Sequence, residues 1–310
     1  MRNHRPGHRN ANGKNQRTWM WPKLETLAVV LIMAGVITFM YPSTASWFSQ
    51  REQSRVTELA LNEMQRPPGN NADYRAELLK QAHEYNTDLA SGAVYKANEN
   101  IASSETDTSS TSMAYSELLD ASGNGFMGRL RYETLDIDLP IYHGTSDETL
   151  QRGVGHLEGT SLPVGGQETR SVLTAHRGLP ESTLFTHLDK ASVGDRLTVT
   201  VLDQTMTYEV VETLVIEPDQ TEAILPVANT DMLTLVTCTP LGLNTHRILV
   251  NAVRVTPTPV EDQAVAATPP DLPGFPWWIV ILGSVFIAAI VFIWWSGHGN
   301  AHRKIKLSEH

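Results

Sequence analysis

The chain has 310 residues, a formal net charge of −10, 41% hydrophobic residues and one cysteine. That length admits one or two domains with a sizeable core, and a single cysteine excludes both an intramolecular disulfide framework and a zinc site built on paired cysteines. The acidic balance argues against a nucleic-acid partner, which needs a basic face, and the mean hydropathy of −0.21 hides two strongly apolar runs.

Residues 1–23 carry Arg2, Arg5, Arg9, Lys14, Arg17 and Lys23 and no acid. The first apolar run, 24–41 (LETLAVVLIMAGVITFMY), reads either as a signal peptide or as an uncleaved anchor, the preferred reading. Ser43, Thr44 and Ala45 resemble a small-residue cleavage site. The second run, 277–295 (WWIVILGSVFIAAIVFIWW), has no charge and a Trp pair at each end, where interfacial anchors belong. Its length suits a helix crossing a hydrocarbon core of roughly 30 Å. In the tail, 296–310, Arg303, Lys304 and Lys306 stand against Glu309 alone. The basic ends carry +6 and +2, so the segment between them carries −18. By the positive-inside rule both termini are cytoplasmic, and the middle lies outside the cell membrane, where a free thiol is unusual.

Residues 50–120 read as a helical extension. Val56, Leu59, Ala60 and Met64 recur at helical spacing, and Pro67, Pro68 and Gly69 then break the pattern. Asp73 caps a second helix whose apolar side holds Leu78, Leu79, Ala82 and Tyr85. The Ser/Thr-rich stretch 103–113 (SSETDTSSTSM) has the composition of a loop or linker, or of a cover over a site.

From Phe126 the pattern changes to short alternating strands: Ile137–Tyr142, Ser171–Ala175, Arg196–Asp203, Met206–Val210, Leu233–Thr237 and Ile248–Val255. Turn residues separate them, with a helical piece expected at Ser182–Leu188. This predicts a mainly β protein, a closed or nearly closed barrel with short helices rather than a doubly wound sheet. Residues 256–274 are Pro-rich and polar and read as a tether to the second apolar run.

Cys238 ends a β-rich run, TLVTCTP, and Pro240 stops the strand just beyond it. A thiol is a nucleophile only as the thiolate, so it needs a base or a positive charge nearby. His176 and Arg247 also stand where β runs start or end, and all three can meet at one rim of a barrel. The bland alternatives are a buried thiol acting as a small hydrophobe, a structural histidine and an arginine paired with a carboxylate. Thr237 and Thr239 flank the cysteine, and with His246 they are candidates for lining a cleft. His143, His156 and His246 sit near acids, but their spacings match no zinc motif.

The strings MGRL, LPIYHGT, GVGHLEGTSLPVGG, VLTAHRGLP, LFTHLD and TLVTCTPLGLNTHR, in this order, resemble the sortases, specifically the pilus-assembling class C of Gram-positive bacteria. The resemblance covers residues 125–255, and the helical extension and second apolar run suit the same class. It implies a catalytic barrel in which Cys238 attacks the Thr carbonyl of an LPXTG-like sorting signal. His176 then serves as acid and base, and Arg247 holds the oxyanion. It also implies transfer to an amine, a pilin lysine for class C, with no metal or organic cofactor. Class C members usually carry a lid before the barrel, often with an Asp-Pro-aromatic motif, which is absent between Asn86 and Gly125. Residues 103–113 occupy its place, with Asp107 or Tyr115 as possible anchors. Deleting 103–113 is then expected to raise cleavage of an LPXTG peptide, and an unchanged rate in a folded variant counts against a lid. The rival readings are a sortase that attaches surface proteins to cell-wall peptide, a non-catalytic membrane scaffold that binds sorting signals, and a cysteine protease.

Overall fold

In the computed structural model, described over residues 19–64, 71–92, 115–121, 123–180 and 182–308, the chain forms two compact units. One holds the segments up to Tyr41 and from Pro276, and the other spans Pro42–Phe275.

In the first unit lie the start of helix α1 (Lys23–Met64) and helix α5 (Trp277–Ser308). Both helices are long and apolar enough to cross a membrane, and no residue of their apolar windows is buried. Such all-round apolarity without burial is what a lipid-facing helix requires. The backbone of Met20 donates to the carbonyl of Gly297 at 3.2 Å, and the Trp19 ring lies where any side chain at Gly297 would have to go.

The second unit is built on a closed eight-stranded barrel. Its strands are β1 (Phe126–Tyr132), β2 (Ile137–His143), β3 (Val154–His156), β4 (Thr169–Thr174), β5 (Arg196–Val201), β6 (Gln204–Ile216), β7 (Asp231–Thr239) and β8 (His246–Val255). Around the barrel they run β1-β2-β3-β4-β7-β8-β6-β5. The β2–β3 and β4–β7 pairs are parallel and the rest antiparallel. Alternation of apolar residues fills the interior with Leu130, Tyr132, Ile141, Leu173, Val199, Leu233, Leu235 and Val250, all under 2% exposed. Burying a side chain of that size stabilises the fold by about 1.5–3 kcal/mol. Closure leaves no free sheet edge.

Helix α1 continues without interruption through Pro42 to Met64, so the first apolar run and the first helix of the expected extension are one element. The face it buries is more polar than its apolar spacing predicts. Gln53, Ser54, Thr57 and Ala60 are buried, while Leu59 is 48% exposed. Thr57 is satisfied locally, donating to the carbonyl of Gln53 at 2.8 Å, while the Ser54 hydroxyl lies between the carbonyls of Gln50 at 3.0 Å and Asp271 at 2.6 Å. Helix α2 (Ala72–Gly92) buries Leu78, Leu79 and Ala82 as its periodicity predicts. Its cap is Asn71, not Asp73: the Asn71 Oδ1 accepts from the amide of Asp73 at 2.8 Å. Asn86 docks α2 on the barrel by donating to the carbonyl of Leu162 at 3.1 Å and accepting from its amide at 2.7 Å.

The expected tether 256–274 contains helix α4 (Val260–Ala266) and lies against β1. Arg129, 2% exposed, makes a two-pronged ion pair with Asp138 at 2.6 Å and donates to the carbonyls of Ala266 and Thr268 at 3.2 and 2.7 Å. Arg131 reaches Asp271 at 3.0 Å, and Ser54 donates to the Asp271 carbonyl at 2.6 Å. Two further differences concern short elements. Helix α3 (Asp147–Arg152), capped by Ser146, forms where no helix is expected. Residues 182–187 form turns and a β-bridge, with Leu184 at φ 37°, and the expected helical piece is confined to a 3-10 turn, Leu188–Lys190.

Candidate active site

Strand register brings Cys238, His176 and Arg247 into one row. Strand β7 runs antiparallel to β8 with Cys238 opposite Arg247. On its other side β7 runs parallel to β4 with Val236 opposite Thr174. The Ala175 amide donates to the Val236 carbonyl at 3.3 Å, which extends that ladder and delivers His176 beside Cys238. Neighbouring strands lie about 4.8 Å apart, so the row spans two strand spacings. Period-two alternation fixes its face. Leu233, Leu235, Ile248 and Val250 point into the core, so Cys238 and Arg247 stand on the outer face, as does His176 by its parity with Thr174. All three are half-buried, sheltered from bulk water yet reachable.

Each member is held from behind. Thr237 is buried, and its hydroxyl donates to the carbonyl of Ala175 at 2.8 Å. The carbonyl of His176 accepts from the amide of Phe185 at 3.1 Å. Arg247 donates through Nη1 to the carbonyls of Asn244 and His246 at 2.9 and 3.0 Å. Among the described residues no hydrogen bond engages its Nε or Nη2, which leaves these donors for an anionic oxygen.

The threonines beside Cys238 are expected from sequence to line the cleft. Alternation turns both to the opposite face of β7: Thr237 bonds to β4, and Thr239 accepts from the Arg177 Nη1 at 3.0 Å. His246 stands opposite Thr239, half-buried, with Nδ1 2.9 Å from the Thr245 hydroxyl. Residues 217–230 leave β6 at Ile216, opposite Arg247, and re-enter the sheet at Asp231, at the far end of β7. They thus connect the row's end of the sheet to its opposite end. Arg170, 5% exposed, holds them by donating to the Ala223 carbonyl.

The outer-face row joins a thiol, an imidazole and a guanidinium at a barrel rim, a set suited to acyl transfer through sulfur. Residues 130–255 match the Sortase domain family. Sortase D of Bacillus subtilis (strain 168) is 30% identical over 132 residues, which are 42% of this chain and 64% of that protein. Sortase C1 of GBS Pilus Island 1 is 37% identical, with a TM-score of 0.56 over 66% of this chain and 95% of that one. Sortase C-1 from Actinomyces oris is 41% identical, with a TM-score of 0.52 over 59% and 99%.

The chain belongs to the sortase family. It has the sortase barrel, and sortases are cysteine transpeptidases.

Of the lid positions expected in this sortase, Asp107 and the stretch 103–113 fall outside the described residues. Tyr115 lies on the β2–β3 side of the barrel. Its hydroxyl meets the His156 Nδ1 at 2.8 Å and accepts from the Gly144 amide at 3.1 Å, and its ring packs against His143 and Tyr85. Burial drives the Tyr115 phenol up and the His156 imidazole down to about 4. The ring of His156 is therefore neutral near pH 7, with Nε2–H donating to the Ser161 carbonyl at 2.9 Å and Nδ1 accepting from Tyr115. Both are structural in their contacts.

Sequence reasoning gave no role to Arg170 or Arg177. The signal available for Arg177 is its place directly after His176; for Arg170 there is none, because its partner Ala223 is a backbone carbonyl 53 residues on.

Proposed function

We propose that this sortase is a pilin-polymerising transpeptidase of class C type, anchored in the cell membrane with its barrel outside and both termini cytoplasmic. The observation that carries the reading is the outer-face row of His176, Cys238 and Arg247. The sortase C names of the solved relatives, one of them of a pilus island, support the pilin assignment.

In this reading the Cys238 thiolate attacks the carbonyl carbon of the Thr in an LPXTG-like signal. Arg247 donates hydrogen bonds to the oxyanion as its charge develops. Collapse breaks the Thr–Gly C–N bond, and His176 passes a proton to the departing glycine amine, leaving a thioester on Cys238. An incoming lysine amine loses a proton to His176, attacks the thioester and expels the thiolate. The product is an isopeptide bond, and the enzyme returns unchanged. No step calls for a metal or an organic cofactor.

Incubating the full chain in detergent with a pilin bearing an LPXTG-like tail should give a ladder that resists boiling in detergent. The ladder should vanish in Cys238→Ala. A ladder that persists in that variant overturns the assignment. Free carboxylate product in the presence of excess amine would instead mark a protease.

A further inference from the structure

The row has a fastener that the chemistry above does not use. Arg177 follows His176 and Thr239 follows Cys238, so a bond between Arg177 and Thr239 ties together the two strand ends that carry the base and the thiol. The Arg177 Nη1 donates to the Thr239 Oγ1 at 3.0 Å. Its other nitrogens are also committed: Nη2 pairs with Asp189 at 2.9 Å, and Nε donates to the Thr186 carbonyl at 3.2 Å. The side chain is 9% exposed, so the bonds form largely out of water, where charge-assisted ones are strong.

The loop after β4 is arranged around this guanidinium. The Thr186 hydroxyl accepts from the Gly178 amide at 3.1 Å, and Gly178 itself sits at φ +73°. That left-handed backbone conformation favours glycine there, and the flexible end of the Leu241 side chain in the β7–β8 connection lies beside it. On the other side of the row, the Thr237 hydroxyl bonds the Ala175 carbonyl. The residues before the pair and the residues after it are thus each joined across β4 and β7.

Resting on the reading of Cys238 and His176 as thiol and base, we infer that Arg177 is the positioning residue that sets their separation, acting through the Thr239 hydroxyl. It touches no reacting atom. His176 lies beyond the last backbone ladder bond of β4, so without the Arg177 bond only one side of the row is tied. A displacement near 1 Å between reacting groups costs up to about a hundredfold in rate. Lysine cannot replace it, since one ammonium cannot serve Thr239, Asp189 and the Thr186 carbonyl together.

The test uses the chain's lone cysteine, which makes alkylation report on Cys238 alone. Iodoacetamide inactivation of the full chain in detergent is followed across pH 5–10 for the natural protein and for His176→Ala, Arg177→Met, Arg177→Lys and Thr239→Val. The natural protein and His176→Ala should differ in profile, since the imidazole shapes the reactivity of the thiol. Arg177→Met and Thr239→Val should each move the profile toward that of His176→Ala and lower kcat on an LPXTG peptide about ten- to hundredfold, with KM changed less than threefold. The double variant should lose no more than the worse single one, and Arg177→Lys should not restore the natural profile. Thr239→Val keeps the side-chain volume, so it answers the question even where Arg177→Met fails to fold. An unchanged profile in Thr239→Val, with His176→Ala distinct from the natural protein, overturns the positioning role and leaves the catalytic reading standing. Identical profiles for the natural protein and His176→Ala overturn both.

Discussion

At the residue scale the site depends on which atoms each side chain has left to offer. Arg247 commits Nη1 to two carbonyls of its own turn, and that fixes the plane of the guanidinium while its other edge stays open. Lysine at this position has one point charge and no second edge to hold in place. Arg247→Lys should therefore lower kcat on an LPXTG peptide by about 10²–10³-fold, the range for loss of one preorganised oxyanion donor. Steady-state kinetics on the full chain would check this, and a loss confined to KM would count against an oxyanion role. His156 gives a second prediction. Burial lowers its folded-state pKa from 6.5 to about 4, so between those values the unfolded chain binds more protons than the folded one. Its contribution to stability is complete above pH 6.5 and is lost as pH falls toward 4. Denaturant unfolding at a series of pH values should show this decline, and His156→Gln should flatten it.

At the element scale, alternation predicted the long strands well. Leu197, Val199 and Val201, or Leu233 and Leu235, announce one buried face, and the face bearing Cys238 follows from them. Strand β3 was not legible, because three residues carry no period, and helix α3 is a six-residue piece of similar obscurity. The buried face of α1 is more polar than hydrophobic spacing registers, because Thr57 bonds the preceding turn and Ser54 the distant Asp271 carbonyl. The catalytic candidates were easier to find than their surroundings. Cys238, His176 and Arg247 each sit at or just beyond a strand end; the alternation of Leu233 and Leu235 also turns Thr237 and Thr239 away from them, whereas their partners Ala175 and Arg177 lie 62 residues upstream. The docking of 256–274 was hidden for another reason: composition reports Pro and polarity, while the anchor is Arg129, more than 130 residues upstream. That anchor is testable. Asp138→Ala leaves Arg129 buried without its counter-charge, which costs about 3–5 kcal/mol. Denaturant unfolding should show the loss, and limited proteolysis should cut faster between Thr268 and Gly274.

For the whole molecule the prediction concerns sidedness. A membrane-impermeant maleimide applied to intact cells should label Cys238. In a Cys238→Ala background, single cysteines placed at Asn15 and Ser296 should stay unlabelled until the membrane is permeabilised. Labelling of either terminus in intact cells would refute the proposed topology. Lengthwise, the barrel ties together segments far apart in the chain. The bonds that flank the row, from Thr237 to Ala175 and from Arg177 to Thr239, each join residues 62 positions apart.

The parallel pairing of β4 with β7 has a consequence for timing. Parallel neighbours cannot be joined by a hairpin, and the chain between these two holds β5 and β6. Such long-range closures are slow to form. A chain still folding therefore holds its thiol before the imidazole of His176 is brought alongside. The row of His176, Cys238 and Arg247 is thus complete only when the barrel is nearly assembled.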